Sequence, residues 1–363
     1  MGTGVIQVNL AALAANLRLM RTRAPGAEVA AVVKADAYGL GLAGVLPALG
    51  CGSYFVARLE EAVTLRALAP KARLFVLDGV TEDSASALIA HRLIPVLGSL
   101  EQIARWQKAA RGQGGALEAA LHVDTGMNRL GLPPHELALL AGEAKTRLDG
   151  IALALVMSHL ACSDEPDSPM NRVQLARFRA ALAALPPAPA SLAASGGVFL
   201  GRDYHFDLVR PGIGLYGGNP QPGHDLPIKP VVRLAARILQ LRPIAPGETV
   251  GYGASFTAAR PMMLATIALG YADGVLRSAG GRATALVKGR PAPFVGRVSM
   301  DLVTLDVTGL DAAVGEEAEL FGPGLPLDAA AAAWGTISYE LLTGLSRRIP
   351  RVYEGGEGIT KSP

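Results

Sequence analysis

The chain has 363 residues, 50% of them hydrophobic and 18% charged, and a formal net charge of +3. That apolar content argues against disorder. The small, scattered basic excess gives no nucleic-acid footprint, and no apolar run reaches the ~18–20 residues of a membrane span. Two cysteines far apart, Cys51 and Cys162, make neither a disulfide framework nor a metal site, and six histidines show no ligand spacing. A soluble protein without a metal, from a reducing, cytoplasmic compartment, is expected.

In chain order, a strand-like stretch at 4–8 precedes a helix that Asn9 can cap. Apolar runs then recur at 28–34, 52–57, 73–77, 94–97, 117–124, 151–158, 190–195 and 207–210. Helical stretches separate most of them, at 58–69, 99–110, 135–145 and 171–184. Eight strands joined by crossovers predict an α/β fold, a closed (β/α)8 TIM-type barrel. An open doubly wound sheet is the competitor, weakened because no G-x-G-x-x-G follows an early strand. Past about Gly223 the pattern changes to short β-like runs between Gly and Pro turns, at 237–242, 262–268, 284–287, 302–307 and 317–321. This predicts a mainly β C-terminal domain, with helical pattern returning at 338–344. Whether the stretch at 4–8 pairs with the barrel or with this domain is left open by the pattern. The alanine run 329–333 reads as helix or linker, and the tail 355–363 as frayed. The expected division is a barrel at 9–225 and a β domain at 226–363.

The segment from Ala30 to Gly41 carries the strongest chemical signal. An apolar run ends at Lys34, and Tyr38 and two glycines follow. A lysine with its stem in apolar surroundings has its ammonium destabilised, which frees the amine to form Schiff bases with carbonyl compounds. It equally reads as a lysine snorkelling at a strand end. A barrel sets its site at the C-terminal ends of its strands. The polar residues just past the predicted strands are Lys34 and Tyr38, Asp124 through Arg129, His159, Ser195, and Arg210 with Gly212. One nucleophile, two arginines, an imidazole and a hydroxyl would then face one mouth. Taken singly, each has a plainer reading. His159 fits a satisfied core histidine, Arg129 a surface arginine or a helix cap, Ser195-Gly-Gly a turn, and Arg210-Pro-Gly a bend.

Eight pieces of the chain resemble the alanine racemase family, in the family's order. They are Val33-Lys-Ala-Asp-Ala-Tyr-Gly39, Val123-Asp-Thr-Gly-Met-Asn-Arg-Leu-Gly131, Met157-Ser-His159, Val209-Arg-Pro-Gly-Ile213, Gly251-Tyr-Gly253, Gly270-Tyr-Ala-Asp-Gly274, Gly296-Arg-Val-Ser-Met-Asp301 and Thr336-Ile-Ser-Tyr339. The resemblance implies a pyridoxal 5'-phosphate (PLP) enzyme that interconverts L- and D-alanine and supplies D-alanine for peptidoglycan. Lys34 resembles the lysine that holds PLP, and Tyr252 the second acid/base on the opposite face of the substrate. Tyr38, Ser195, Gly212, Ile213 and Tyr339 match phosphate-binding positions. His159 resembles the imidazole near the cofactor ring, and Arg210 the arginine facing the pyridine nitrogen. Arg129 and the Met300 backbone N–H resemble the substrate-carboxylate site. In the family Tyr252, Tyr271 and Met300 arrive from a partner subunit, so a homodimer is implied. No nucleic acid or membrane partner is implied.

Two positions depart from the family pattern. Where many members have a carbamylated lysine two residues before Asp-Thr-Gly, this chain has His122, and Ser299 stands where a cysteine is frequent. A carbamate cannot form at His122, so another anion or hydrogen bond, or none, is expected to position Arg129. Tyrosine, with an ordinary pKa of about 10, is a poor base at neutral pH. Tyr252 therefore needs a nearby cation, for which Arg210, through His159, is the candidate. A guanidinium facing the pyridine nitrogen also disfavours its protonation, weakens the electron sink and limits transamination. Three rivals remain. An amino-acid decarboxylase of the same barrel type would show a Gly-Gly-Gly loop, a glutamate and a catalytic cysteine in place of Ser195-Gly-Gly, Arg210 and Tyr252. A noncatalytic PLP-binding protein would lack the second domain. A racemase of another small amino acid such as serine differs only in pocket volume, a discrimination of ~1–3 kcal/mol.

Overall fold

The computed structural model describes residues 4–356. Its N-terminal part is a parallel barrel. The strands are Glu28–Val29 continuing as Ala31–Val32, then Ser53–Val56, Arg73–Val76, Ile94–Leu97, Leu117–His122, Ile151–Met157, Ala190–Ser191 and Leu208–Val209. Each pairs in parallel with the next from Ala31–Val32 to Ala190–Ser191. The ring closes because Leu208 and Val209 lie opposite Glu28 and Val29. Val32 N donates to Pro211 O at 2.9 Å, and Arg210 N to Ala193 O at 2.9 Å. Ser53–Val56 and Ile94–Leu97 are buried at every position. Burial on both faces is why these strands read as continuous apolar runs.

The outer helices include Leu10–Arg23, Leu59–Leu68, Leu100–Gln113 and Pro169–Ala184. Asn9 caps the first by accepting from Ala12 N at 2.8 Å, and Ser99 caps another by accepting from Gln102 N at 3.2 Å. Two further helices, Leu42–Leu49 and Ala85–Ala90, were not foreseen. The first carries Gly44 and Pro47, poor helix formers inside a short element. Among the described residues no helix is long and apolar enough to cross a membrane.

The C-terminal part is built on Val232–Ile244, longer than the expected 237–242. Arg233 interrupts the apolar pattern there, but its guanidinium is engaged by Glu319 at 2.8 Å, Glu317 at 2.9 Å and Gln7 at 2.7 Å. This strand pairs antiparallel with Gly4–Asn9, Met262–Ile267 and Glu317–Phe321. Thr284–Val287, Arg290–Pro293 and Val303–Asp306 complete that side. On the other side, Arg351–Glu354 pairs in parallel with Gly4–Asn9. Arg290–Pro293 and Arg351–Glu354 were not foreseen. Two prolines mask the first, tolerated because it is an edge. Helices Leu327–Trp334 and Ser338–Thr343 follow the last antiparallel strands. Barrel, helices and most of the β sheet share one apolar core, and Ile244, Val250, Ala258, Met262, Leu264 and Val295 form a smaller second cluster. Of the expected frayed tail, 357–363 lie outside the described residues.

Candidate active site

The first barrel strand ends in an unusual turn. Ala35, Asp36, Ala37 and Tyr38 have φ of 53°, 55°, 53° and 58°, a run of left-handed residues with no glycine among them. Each costs about 1–2 kcal/mol for an L-residue, so neighbours must hold the run. Glu61 accepts from Ala35 N at 2.6 Å and Ala57 N at 2.8 Å, and Asp36 Oδ1 accepts from Leu42 N at 2.8 Å. Within the turn, Ala37 N donates to Val33 O at 2.9 Å and Gly39 N to Ala35 O at 2.7 Å. The turn brings both Lys34 and Tyr38 to one cleft. The Tyr38 ring lies 4.7 Å from Tyr216 and 6.1 Å from Tyr339, and Tyr216 Oη donates to Val32 O at 2.9 Å.

The cleft has a volume of about 380 Å³. Lys34, Tyr38, Arg129, His159, Ser195, Arg210, Gly212, Ile213 and Tyr339 all line it, as does His122. Arg210 forms its floor, 3% exposed. Its guanidinium donates to Ser158 O at 2.6 Å, to Leu192 O at 3.4 Å, and to Ser191 Oγ. Nη2 also lies 3.4 Å from His159 Nδ1. At the other end the walls are small residues. Ser195 Oγ accepts from Gly212 N at 2.8 Å and Gly214 N at 3.2 Å. A Cβ at Gly212 would collide with Tyr38 Oη, and one at Gly196 would sit 2.6 Å from Ser163 O.

The cleft is cationic, and its titrating groups respond. Burial, then Arg129, lowers Lys34 below the ordinary lysine range, while Glu61 and Asp78 oppose the shift. Burial, then Arg210 and Arg129, pushes His122 down to about 4. The same causes lower His159 well below the histidine range, so both imidazoles are neutral at pH 7. Burial lowers Arg210 to about 9, which leaves it charged. Burial raises Tyr38, and desolvation raises Tyr339 in the same direction although that residue is 42% exposed, so both hydroxyls keep their protons at neutral pH and can donate.

Tyr252, Tyr271 and Met300 are not brought to this cleft. They lie on the C-terminal part, 71%, 44% and 54% exposed. Two residues that sequence reasoning passed over do bear on the site. Asp78, just after the third strand, lines the cleft and faces a lysine. Reading the residue after every strand would have found it. Glu61 holds the Lys34 turn, and only the Arg58-x-x-Glu61 spacing at a helix start hinted at a capping role. Among the described residues no three His, Cys, Asp or Glu side chains converge as metal ligands.

Fold and cleft define a two-part barrel protein organised around a desolvated lysine amine, with a fixed guanidinium at one end and small, donor-bearing residues at the other. Family models described as "Alanine racemase, N-terminal domain" and "Alanine racemase, C-terminal domain" match residues 8–220 and 231–353. The chain belongs to the alanine racemase family. It is 50% identical over 361 residues to an alanine racemase of Methylobacterium nodulans, covering 98% of this chain and 97% of that one. It is 48% identical to a catabolic alanine racemase of Agrobacterium fabrum, covering 97% and 92%. The structure resembles that of alanine racemase from Bartonella henselae, described with covalently bound pyridoxal phosphate. The TM-score is 0.94 at 39% identity, covering 98% of this chain and 100% of that one.

Proposed function

We propose that this chain interconverts L-alanine and D-alanine with PLP held at Lys34. The observation that carries the reading is the meeting of Lys34, His159, Arg210 and the Gly212–Ser195 end in one cleft. PLP fits these residues. Its aldehyde requires an amine, which Lys34 supplies. Its phosphate requires donors and room, which Tyr38, Ser195, Tyr339 and the Ile213 amide would supply, joined by the Gly212 amide once it turns from Ser195 Oγ to the phosphate, glycine being needed where Tyr38 packs closely. When bound, PLP withdraws electrons from the substrate α-carbon and so acidifies its proton.

The chain's own residues then handle the proton. Lys34 Nζ would exchange it on one face, helped by the desolvation that favours the neutral amine. Tyr252 Oη of a second copy would exchange it on the other face, which makes the active species a homodimer. His159 accepts from Arg210 at Nδ1, so its ring proton sits on Nε2. That N–H would carry the influence of the Arg210 charge to the Tyr252 oxygen. Arg129 and the Met300 N–H would hold the substrate carboxylate, and with no acidic or carbamylated group at His122 the substrate itself would be the anion facing Arg129. The division at 9–225 and 226–363 belongs to this reading, supported by the last barrel strand ending at Val209 and the long β strand beginning at Val232. So do a cytoplasmic location and a supply of D-alanine to peptidoglycan.

The test is incubation of the purified chain with PLP and L-alanine in deuterated water, with chiral analysis. D-alanine deuterated at Cα is the expected product. Unchanged L-alanine, with serine racemised instead, would replace the substrate. No exchange with any amino acid would leave a PLP carrier.

A further inference from the structure

The left-handed run after Lys34 is strained, yet the barrel supplies only part of what holds it. The rest comes from the opposite end of the chain. Arg351, on the β strand Arg351–Glu354, donates from Nε and Nη2 to Gly39 O at 3.2 and 2.9 Å. Its guanidinium also donates to Leu345 O at 3.0 Å, Ser346 O at 2.6 Å and Ile349 O at 2.7 Å. Two residues on, Tyr353 Oη donates to Leu40 O at 2.8 Å. A Cβ at Gly44 would overlap the Tyr353 ring, and one at Gly41 would meet its hydroxyl. At Gly39 a Cβ would collide with Leu342 O, on the helix that carries Tyr339. The turn is therefore seated against the β domain by direct backbone approach and by three side-chain hydrogen bonds from two residues.

We propose that Arg351 and Tyr353 are positioning residues, a clamp by which the β domain holds the Lys34–Tyr38 turn in its strained shape. Arg351 suits the task because its planar fork serves several carbonyls at once. Among the described residues, every hydrogen bond its side chain makes goes to a backbone carbonyl and none to a carboxylate, so its place is set by chain geometry. Through the carbonyls at 345, 346 and 349 it also fixes the loop after the helix bearing Tyr339. One side chain thus ties the amine end of the cleft to the Tyr339 end. The functional consequence rests on the PLP–Lys34 reading, but the clamp itself does not.

The experiment is peptide-resolved hydrogen exchange on the full-length protein, with and without added PLP, for wild type, Arg351→Lys and Tyr353→Phe. The amides of Ala37, Gly39, Gly41 and Leu42 are bonded within the turn. Their exchange should speed up by about tenfold or more in both variants, the scale of one or two lost hydrogen bonds, while barrel strands such as Ser53–Val56 keep wild-type protection. In the racemase assay kcat should fall by about tenfold with KM for alanine held within about twofold, since Arg129 is untouched. Wild-type exchange rates at 37–42 in the folded variants would overturn the clamp, as would loosening spread evenly over the barrel. If Arg351→Lys does not fold, Tyr353→Phe, which removes one hydroxyl, decides alone. Because exchange needs neither PLP nor alanine, absence of racemisation in the wild type would count against the function and leave this readout standing.

Discussion

Arg210 Nη2 lies 3.4 Å from His159 Nδ1, the guanidinium buried beneath the cleft and the imidazole half-buried at its wall. A guanidinium cannot accept, so this contact makes Nδ1 the acceptor and leaves the ring proton on Nε2. One buried cation therefore sets the tautomer of the imidazole at the cleft wall. It does so while anchored to Ser158 O, Ser191 Oγ and Leu192 O, so it cannot swing away.

Arg210→Lys should lower kcat by at least about tenfold and stability by ~1–3 kcal/mol. An ammonium cannot serve three backbone and hydroxyl acceptors and the imidazole together. Steady-state kinetics and urea unfolding check both. On the reading, implied by the family resemblance, that Arg210 would face the pyridine nitrogen of PLP, Arg210→Glu should in addition raise transamination, seen as pyruvate formed per racemisation event.

Gly212→Ala should weaken PLP binding by at least about tenfold, measured by titration of the cofactor-free protein. The new methyl group would collide with Tyr38 Oη, and Tyr38 is packed on Tyr216 and cannot retreat without strain.

Stability should fall on mild acidification. In the folded chain His122 is held neutral down to about 4, whereas an unfolded histidine protonates near 6.5. The unfolded state then binds more protons between these values, so the contribution is full above about 6.5 and lost as pH falls toward 4. Its size is on the order of 3 kcal/mol, and His159 acts in the same direction. Denaturant midpoints from pH 7 to pH 4 should drop for wild type and drop less for His122→Gln.

Lys34 works in the opposite pH range. Its folded value lies below 10.5, so its charged form destabilises the fold. Stability should rise as pH climbs through that folded value toward 10.5. In the cofactor-free protein Lys34→Met should accordingly raise the melting temperature at pH 7, with the difference vanishing above pH 10.5, and with PLP added it should abolish racemisation.

The barrel was legible because its strands, buried on both faces, appear as unbroken apolar runs such as 53–56 and 94–97. The pairing of Gly4–Asn9 with Val232–Ile244 was not, since hydrophobic period carries no information about a partner more than 200 residues away. Helix Leu42–Leu49 hid behind Gly44 and Pro47. In the site, the rule that function sits after barrel strands picks out Lys34, His159, Ser195 and Arg210, which the structure brings to one cleft. It could not foresee the left-handed run, because Ala35 and Ala37 are not residues that signal positive φ. Nor could it foresee Glu61 or Arg351, whose hydrogen bonds at the turn run to backbone groups. Tyr252 and Met300 are expected from resemblance alone, and in the single chain they are exposed and do not line the Lys34 cleft.

On the proposed mechanism, a working site needs Lys34 of one copy and Tyr252 of another. Lys34→Ala and Tyr252→Phe should each be inactive when expressed alone. Co-expressed, they should recover about a quarter of wild-type activity, because half of random dimers are mixed and each mixed dimer holds one intact site. Recovery would establish the shared two-base site. No recovery from mixed dimers isolated by paired affinity tags would contradict it, as would full α-proton exchange from L-alanine by Tyr252→Phe alone.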